Sequence, residues 1–138
     1  MQKTKYAAHL IIKTSESVKK KANRLLKPFR ITIEQYAVLQ RIHEGFDTSS
    51  KILSVWGGTK SALANKLAEL EKKGLIKRAV SLQDKRIWIF TLQKKGVELI
   101  NTVQPKHEAL VSDLFKNLNN QEIKELIRVF EKLNPNSE

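Results

Sequence analysis

Three short stretches hold the side chains best suited to chemistry. Thr59, Lys60, Ser61, Asn65 and Lys66 lie within one turn-rich and then helical stretch. Their hydroxyl, amide and ammonium groups make reversible hydrogen bonds. An asparagine amide can bond two-pronged to adenine, and a lysine can reach O6 and N7 of guanine. The other reading of these five residues is a solvated helix face. Asp84-Lys85-Arg86 sets a guanidinium beside a carboxylate. A planar cation can enter a narrow A·T-rich minor groove. Asp84 is repelled by phosphate, so its expected role is to accept hydrogen bonds in its own turn and hold Arg86 by a local ion pair. Lys85, Lys77 and Arg78 are expected phosphate neighbours, adding affinity without sequence information. Ser49 and Ser50 either bind a backbone phosphate at a helix start or only cap that helix.

The residues needed for catalysis or metal binding are not gathered anywhere. His9, His43 and His107 stand apart, no glycine-rich phosphate loop or nucleophile motif occurs, and there is no cysteine. Thiol redox sensing, disulfides, enzyme activity, cofactors and metals are therefore not expected. A run of about 18 apolar residues, the mark of a membrane-spanning helix, is missing. The opening MQKTKYAAHLIIK lacks the longer apolar region and cleavage site of an export signal and is read as structure, which makes the cytoplasm the expected location.

The formal charge is +12, distributed as +8 over residues 1–30, +5 over 31–100 and −1 over 101–138. Such a field attracts polyanions, nucleic acid first and anionic lipid second. Lys19-Lys20-Lys21 with Arg24 form either a second DNA-facing patch or the solvated face of a helix.

Apolar spacing predicts the elements that must position these groups. A first helix from about Lys5 to Leu26 carries Leu10, Ile11, Val18, Ala22 and Leu25 on one stripe and is expected to stop before Pro28. Thr32 and Gln35 form a capping box for a second helix that Gly45 ends. Thr48 or Ser49 caps a third helix to about Val55. After Gly57-Gly58, Thr59 or Ser61 starts a fourth helix running to about Lys73. A short helix, a glycine turn and a second capped helix make a helix-turn-helix. The period then changes: Leu75–Val80 and Arg86–Thr91, joined by a polar turn, read as a β-hairpin. Trp56 and Trp88 sit in apolar company and are expected in the core rather than as base-stacking platforms. A long helix from about Gln93 to Leu118, kinked at Pro105, and a last helix after Asn119 or Asn120 complete the chain, with NPNSE expected to fray.

In this order the pieces resemble the multiple-antibiotic-resistance regulator (MarR-type) family. ITIEQYAVLQRI is similar to the helix before its DNA-binding unit, and LAELEKKGLIKR to the end of its recognition helix and first wing strand. Asp84-Lys85-Arg86 matches its D-x-R wing motif, and FTLQKKG its exit into the long dimerisation helix. The resemblance covers Ile31 to Gly96. It departs from the family at Ala62, Ala64 and Asn65, where Ser/Thr and Arg are usual, and at Lys66, usually apolar.

The expected fold is mainly α with a small β-hairpin wing: one domain over 1–138, with a winged helix-turn-helix at 31–96. Segments 1–30 and 97–138 are expected to be dimerisation helices. What the resemblance implies is a homodimer that sets recognition helices into successive major grooves of double-stranded DNA and wings into adjacent minor grooves. Such a protein regulates transcription, most often as a repressor on a (pseudo)palindromic operator, and many release DNA on binding a small effector. Tyr36, His43 and nearby apolar residues either line an effector pocket or belong to the ordinary core. The rival functions are a nonspecific architectural DNA binder and a winged-helix adaptor for another protein.

Overall fold

The computed structural model describes residues 2–134, so the expected fraying of residues 135–138 lies outside the described residues. The chain runs α1 (Lys3–Leu26), a 3-10 turn (Lys27–Phe29), α2 (Ile33–His43), α3 (Ser49–Trp56), α4 (Lys60–Lys72), β1 (Ile76–Val80), β2 (Trp88–Leu92), α5 (Lys94–Leu114) and α6 (Asn120–Leu133). It separates into two units, one ending at Ile33 and the other beginning at Glu34.

In the first unit, Pro28 does not end α1 in the expected way. Lys27 keeps right-handed helical angles, φ −53 and ψ −44. Pro28 instead sits in the first turn of the 3-10 segment, where its missing N–H removes no hydrogen bond. Arg30 then takes a left-handed conformation, φ 58. Past this reversal the Asn23 side-chain oxygen accepts the backbone N–H of Ile33 at 2.7 Å, so α1 supplies a cap that its own sequence did not advertise. Ala22 and Leu26 are buried, whereas Tyr6, Leu10, Ile11 and Ile12 are exposed.

In the second unit, α2 buries Gln35, Tyr36, Val38, Leu39 and Ile42. Thr48 caps α3 and Thr59 caps α4, each hydroxyl accepting an N–H three residues on. Between them Gly57 has φ 85, a conformation that costs an L-residue about 1–2 kcal/mol. Trp56 is not in the core as expected. It is only half-buried, and its ring lies over Gly58, where a Cβ would come within 2.1 Å of it. Ile52, Leu63, Leu67 and Leu70 are buried. Each such side chain contributes about 1.5–3 kcal/mol, against about 0–1 kcal/mol for an exposed ion pair such as Lys51–Asp47. The apolar seam therefore holds the helix-turn-helix together.

The hairpin pairs antiparallel, with Ile76 opposite Leu92, Arg78 opposite Phe90 and Val80 opposite Trp88. β1 ends at Val80 as expected, but β2 starts two residues later than expected, because Arg86 and Ile87 belong to the turn: the Ile87 N–H donates to the Asp84 carbonyl at 3.0 Å. Trp88 is 43% exposed, against the expectation of a core position. It shares a face with buried Phe90, but lies two residues nearer the tip, where the hairpin has outrun the core. The Arg78 guanidinium covers its ring instead, 4.4 Å from the centroid. At the base, the Phe90 N–H donates to the Asp47 carbonyl at 2.8 Å and ties β2 to the segment before α3.

α5 begins hard against the root of the hairpin. The Leu75 carbonyl accepts the Gln93 N–H at 2.9 Å, and a Cβ added at Gly96 would lie 2.3 Å from that same oxygen. α5 runs through Pro105 and ends at Leu114, four residues before the predicted end, where residues 115–117 turn. Ile100 and Val103 are buried, while Val111 and Leu114 are exposed. α6 starts from a complete capping box of Asn119 and Glu122, yet buries none of its residues. Among the described residues, no helix is long and apolar enough to cross a membrane.

The Tyr36 ring faces His107 of α5, with centroids 5.3 Å apart. Burial holds the imidazole below its ordinary range, with Glu108 pulling the other way. Burial also pushes the Tyr36 phenol up, and Glu108 adds to that rise.

Two stability measurements follow from this packing. In Gly96→Ala the helix gains about 0.5–1 kcal/mol of propensity but must displace a fixed backbone oxygen, at about 1–3 kcal/mol. Urea unfolding should show a net loss, and a midpoint at or above wild type would refute the close contact. His107 has a lowered folded pKa, so the unfolded chain takes up its proton first as pH falls. Stability should drop between about pH 7 and pH 5, and His107→Gln should flatten that slope. Identical slopes for the two proteins would show that His107 titrates as in the unfolded chain.

Candidate nucleic-acid interface

Helical spacing divides α4 into two faces. Leu63, Leu67 and Leu70 point inward, and Lys60, Ser61, Ala64, Asn65 and Ala68 are all exposed. Lys60, Ser61 and Asn65 make no side-chain hydrogen bond among the described residues and are available to a partner. Thr59, at the head of the helix, spends one oxygen lone pair on the Ala62 N–H at 3.1 Å. The two alanines on this face leave room for the close approach of a flat surface.

Lys66 is not brought to that face. It lies half-buried on the flank, its ammonium 3.2 Å from Glu69 Oε1. The same carboxylate oxygen accepts the buried Gln35 amide of α2 at 3.0 Å. These two donors, Gln35 first and then Lys66, hold the Glu69 carboxyl below the usual carboxylate range. The group of three links α2 to α4 and resists rotation of α4 about its axis.

The hairpin carries the second group. Asp84 accepts the Arg86 backbone N–H at 3.0 Å and grips its guanidinium with both oxygens, at 3.1 and 3.0 Å. This pairing lowers the Asp84 pKa and raises that of Arg86. Arg86 nevertheless stays 89% exposed, so the pair aims the cation and leaves its outer edge open to a partner. Lys85 and Lys77 are exposed on the same hairpin. Arg78 is differently committed, stacked on Trp88 and 3.6 Å from the Glu71 carboxylate.

Ser49 and Ser50 are both exposed in the first turn of α3, and the capping role falls to Thr48. Their hydroxyls therefore remain for another use. Ser49 lines a groove with Ala64, Ala68, Arg78 and Trp88, and Ser50 lines another with Lys51, Leu82 and Gln83. Ala68, Leu82 and Gln83 were not singled out from the sequence, and Trp88 was expected in the core rather than on a surface groove. Two of them carried a signal: Ala68 repeats the exposed spacing of Ala64, and Leu82 is an apolar residue in a polar turn.

Tyr36 and His43 are not brought together in a site. Tyr36 is fully buried against His107, and His43 is exposed at the end of α2.

Residues 12–103 match the sequence profile of a family described as transcriptional regulator SarA/Rot. An uncharacterized HTH-type transcriptional regulator of Bacillus subtilis, YhbI, is 28% identical over 118 residues, 82% of this chain and 77% of the relative. The fold is similar to that of MepR of S. aureus in complex with DNA, with a TM-score of 0.83 and 27% identity over 91% of this chain and 94% of that one. It is also similar to a mutant MarR of E. coli complexed with operator DNA, with a TM-score of 0.81 and 26% identity over 91% of each chain.

The hold of Asp84 on the turn is open to test without any ligand. In Asp84→Ala, amide hydrogen exchange should speed up at Arg86 while thermal unfolding changes little, because the pair lies at the surface with Arg86 exposed and Asp84 only half-buried. Unchanged exchange at that amide would mean that the turn orders itself without the carboxylate.

Proposed function

The chain belongs to the SarA/Rot family of transcriptional regulators, with the winged-helix fold of MarR-type proteins, and from that premise we propose that it represses transcription by binding a (pseudo)palindromic operator in duplex DNA as a homodimer. The observation that carries this reading is the exposed polar face of α4 beside a hairpin that holds out Lys77, Lys85 and Arg86. The DNA complexes of MepR and MarR, two proteins of the same fold, support it.

In this reading the N-terminal half of α4 enters the major groove. Asn65 bonds adenine, and Lys60 reaches guanine or a phosphate. Thr59 and Ser61 bond base edges or backbone, and Ala64 and Ala68 let the helix sit close. Lys66 serves by fixing the rotation of α4 through Glu69. Arg86 enters the minor groove, and Lys77 and Lys85 neutralise flanking phosphates, with Arg78 joining them if it leaves Glu71. Ser49 and Ser50 bond a phosphate at the head of α3.

The dimer accounts for apolar surface that one copy leaves uncovered. Phe130 and Leu133 of α6, Val111 and Leu114 of α5, and Leu10 and Ile11 of α1 are all exposed. In this reading segments 1–30 and 97–138, which precede and follow the winged unit at 31–96 in the chain, serve for dimerisation. Such a protein works where the chromosome is, in the cytoplasm.

Selection of bound sequences from a random duplex library by the purified protein tests the reading. The expected result is an enriched inverted repeat with half-sites about one helical turn apart. Arg86→Ala should then bind the enriched sequence at least about tenfold more weakly with its fold intact. Salt-sensitive retention without a motif would make the protein an architectural binder. No retention at low salt would overturn DNA binding and favour a protein adaptor.

A further inference from the structure

Leu82, at the tip of the hairpin, is 100% exposed; the next most exposed large apolar side chain in the described residues, Ile12, is 64% exposed. Folding removes none of its surface from water, so its side chain contributes no burial to stability. Its setting is nevertheless well fixed. Ser81, itself buried, accepts the N–H groups of Gln83 and Asp84 at 3.2 and 3.3 Å through its hydroxyl. The Ser81 N–H donates to the Ile87 carbonyl at 2.8 Å, and the Ile87 N–H closes on the Asp84 carbonyl. The backbone on both sides of Leu82 is thus pinned, and the leucine is held out by a turn that spends its polar groups on itself.

We propose that Leu82 is an apolar wedge that enters the minor groove beside Arg86 and partly unstacks a base step, so that bound DNA is kinked under each wing. This rests on the DNA-binding reading above. Charge selects the occupant. Lys85 and Arg86 follow in the same turn, both exposed, and the outer edge of Arg86 is open although Asp84 holds its inner one, so the leucine shares its turn with two exposed cations. A minor groove offers the matching pattern, with phosphates along its walls and apolar sugar and base surface within. A single leucine is far too small an area to hold a protein partner, for which about 1,000 Å² is needed. A membrane surface likewise requires a broad apolar face. Gln83, next to the wedge, has an amide able to donate to the acceptors that A·T pairs present in that groove.

A duplex carrying the sequence recovered by library selection, or an A·T-rich duplex if none is enriched, is the probe. It carries 2-aminopurine at the steps under the wings and a donor and acceptor dye at its ends. Wild type should raise the 2-aminopurine fluorescence and shorten the end-to-end distance. Leu82→Ser should lose both signals and bind about tenfold more weakly, as expected for a lost apolar contact, with thermal unfolding and the salt dependence of affinity unchanged. Leu82→Met should restore the signals. Arg86→Ala, by contrast, should reduce the salt dependence. Wild-type affinity and fluorescence in Leu82→Ser would overturn the wedge while leaving DNA binding intact. Failure of wild type itself to bind any duplex would overturn the DNA-binding reading and the wedge with it.

Discussion

The carbonyl of Leu75 is the point on which the winged unit depends. The Leu75 N–H closes the end of α4 by donating to the Leu70 carbonyl at 3.1 Å, and its own carbonyl accepts the Gln93 N–H. β1 leaves from this residue, β2 returns beside it, and α5 starts so close that only a glycine fits at position 96. The helix α4, the hairpin and the long helix α5 are thereby fixed to one another by backbone geometry. Side chains at their far ends can vary without disturbing that junction. This suits a scaffold whose outer face must match a partner while its inner frame stays rigid.

Around this frame, polar interactions aim groups more than they stabilise them. The Gln35–Glu69–Lys66 set adds little to stability because its carboxylate is partly exposed, yet it specifies one rotation of α4. Asp84 does the same for Arg86, ordering one cation of a mobile side-chain type before any partner arrives. Such ordering lowers the entropy that binding would otherwise have to supply. The apolar residues bear the energy and the polar ones the direction.

The helices outside the frame pose the opposite problem. α6 has a strong apolar stripe of Ile123, Leu126, Ile127, Phe130 and Leu133 and buries none of it fully. An amphipathic helix of this kind gains its stability from packing that face. A second copy of the chain supplies a matching face at no cost in sequence, and the dimer proposal follows from that need.

Much of this was legible in the sequence. Periodicity of three and four residues, threonine caps and glycine stops are local properties, so the order of helices and hairpin could be read directly, as could the Asp84–Arg86 pair. The family resemblance rested on the same local motifs, and the profile match agrees with it. Other features depended on distance in space. Lys66 reads as one more cation beside Asn65; its pairing with Glu69 is a local contact three residues along α4, and what only packing adds is the Gln35 amide of α2 on the same carboxylate. Trp88 reads as core because it stands in apolar company, but apolar neighbours in sequence cannot say where a core ends. Asn23 gives no local hint that it will cap a helix ten residues away. The sequence by itself determined which elements form and which groups they carry, because helix and turn preferences act between near neighbours. Tertiary structure alone decided which groups face outward, because burial and pairing join residues that the chain keeps far apart.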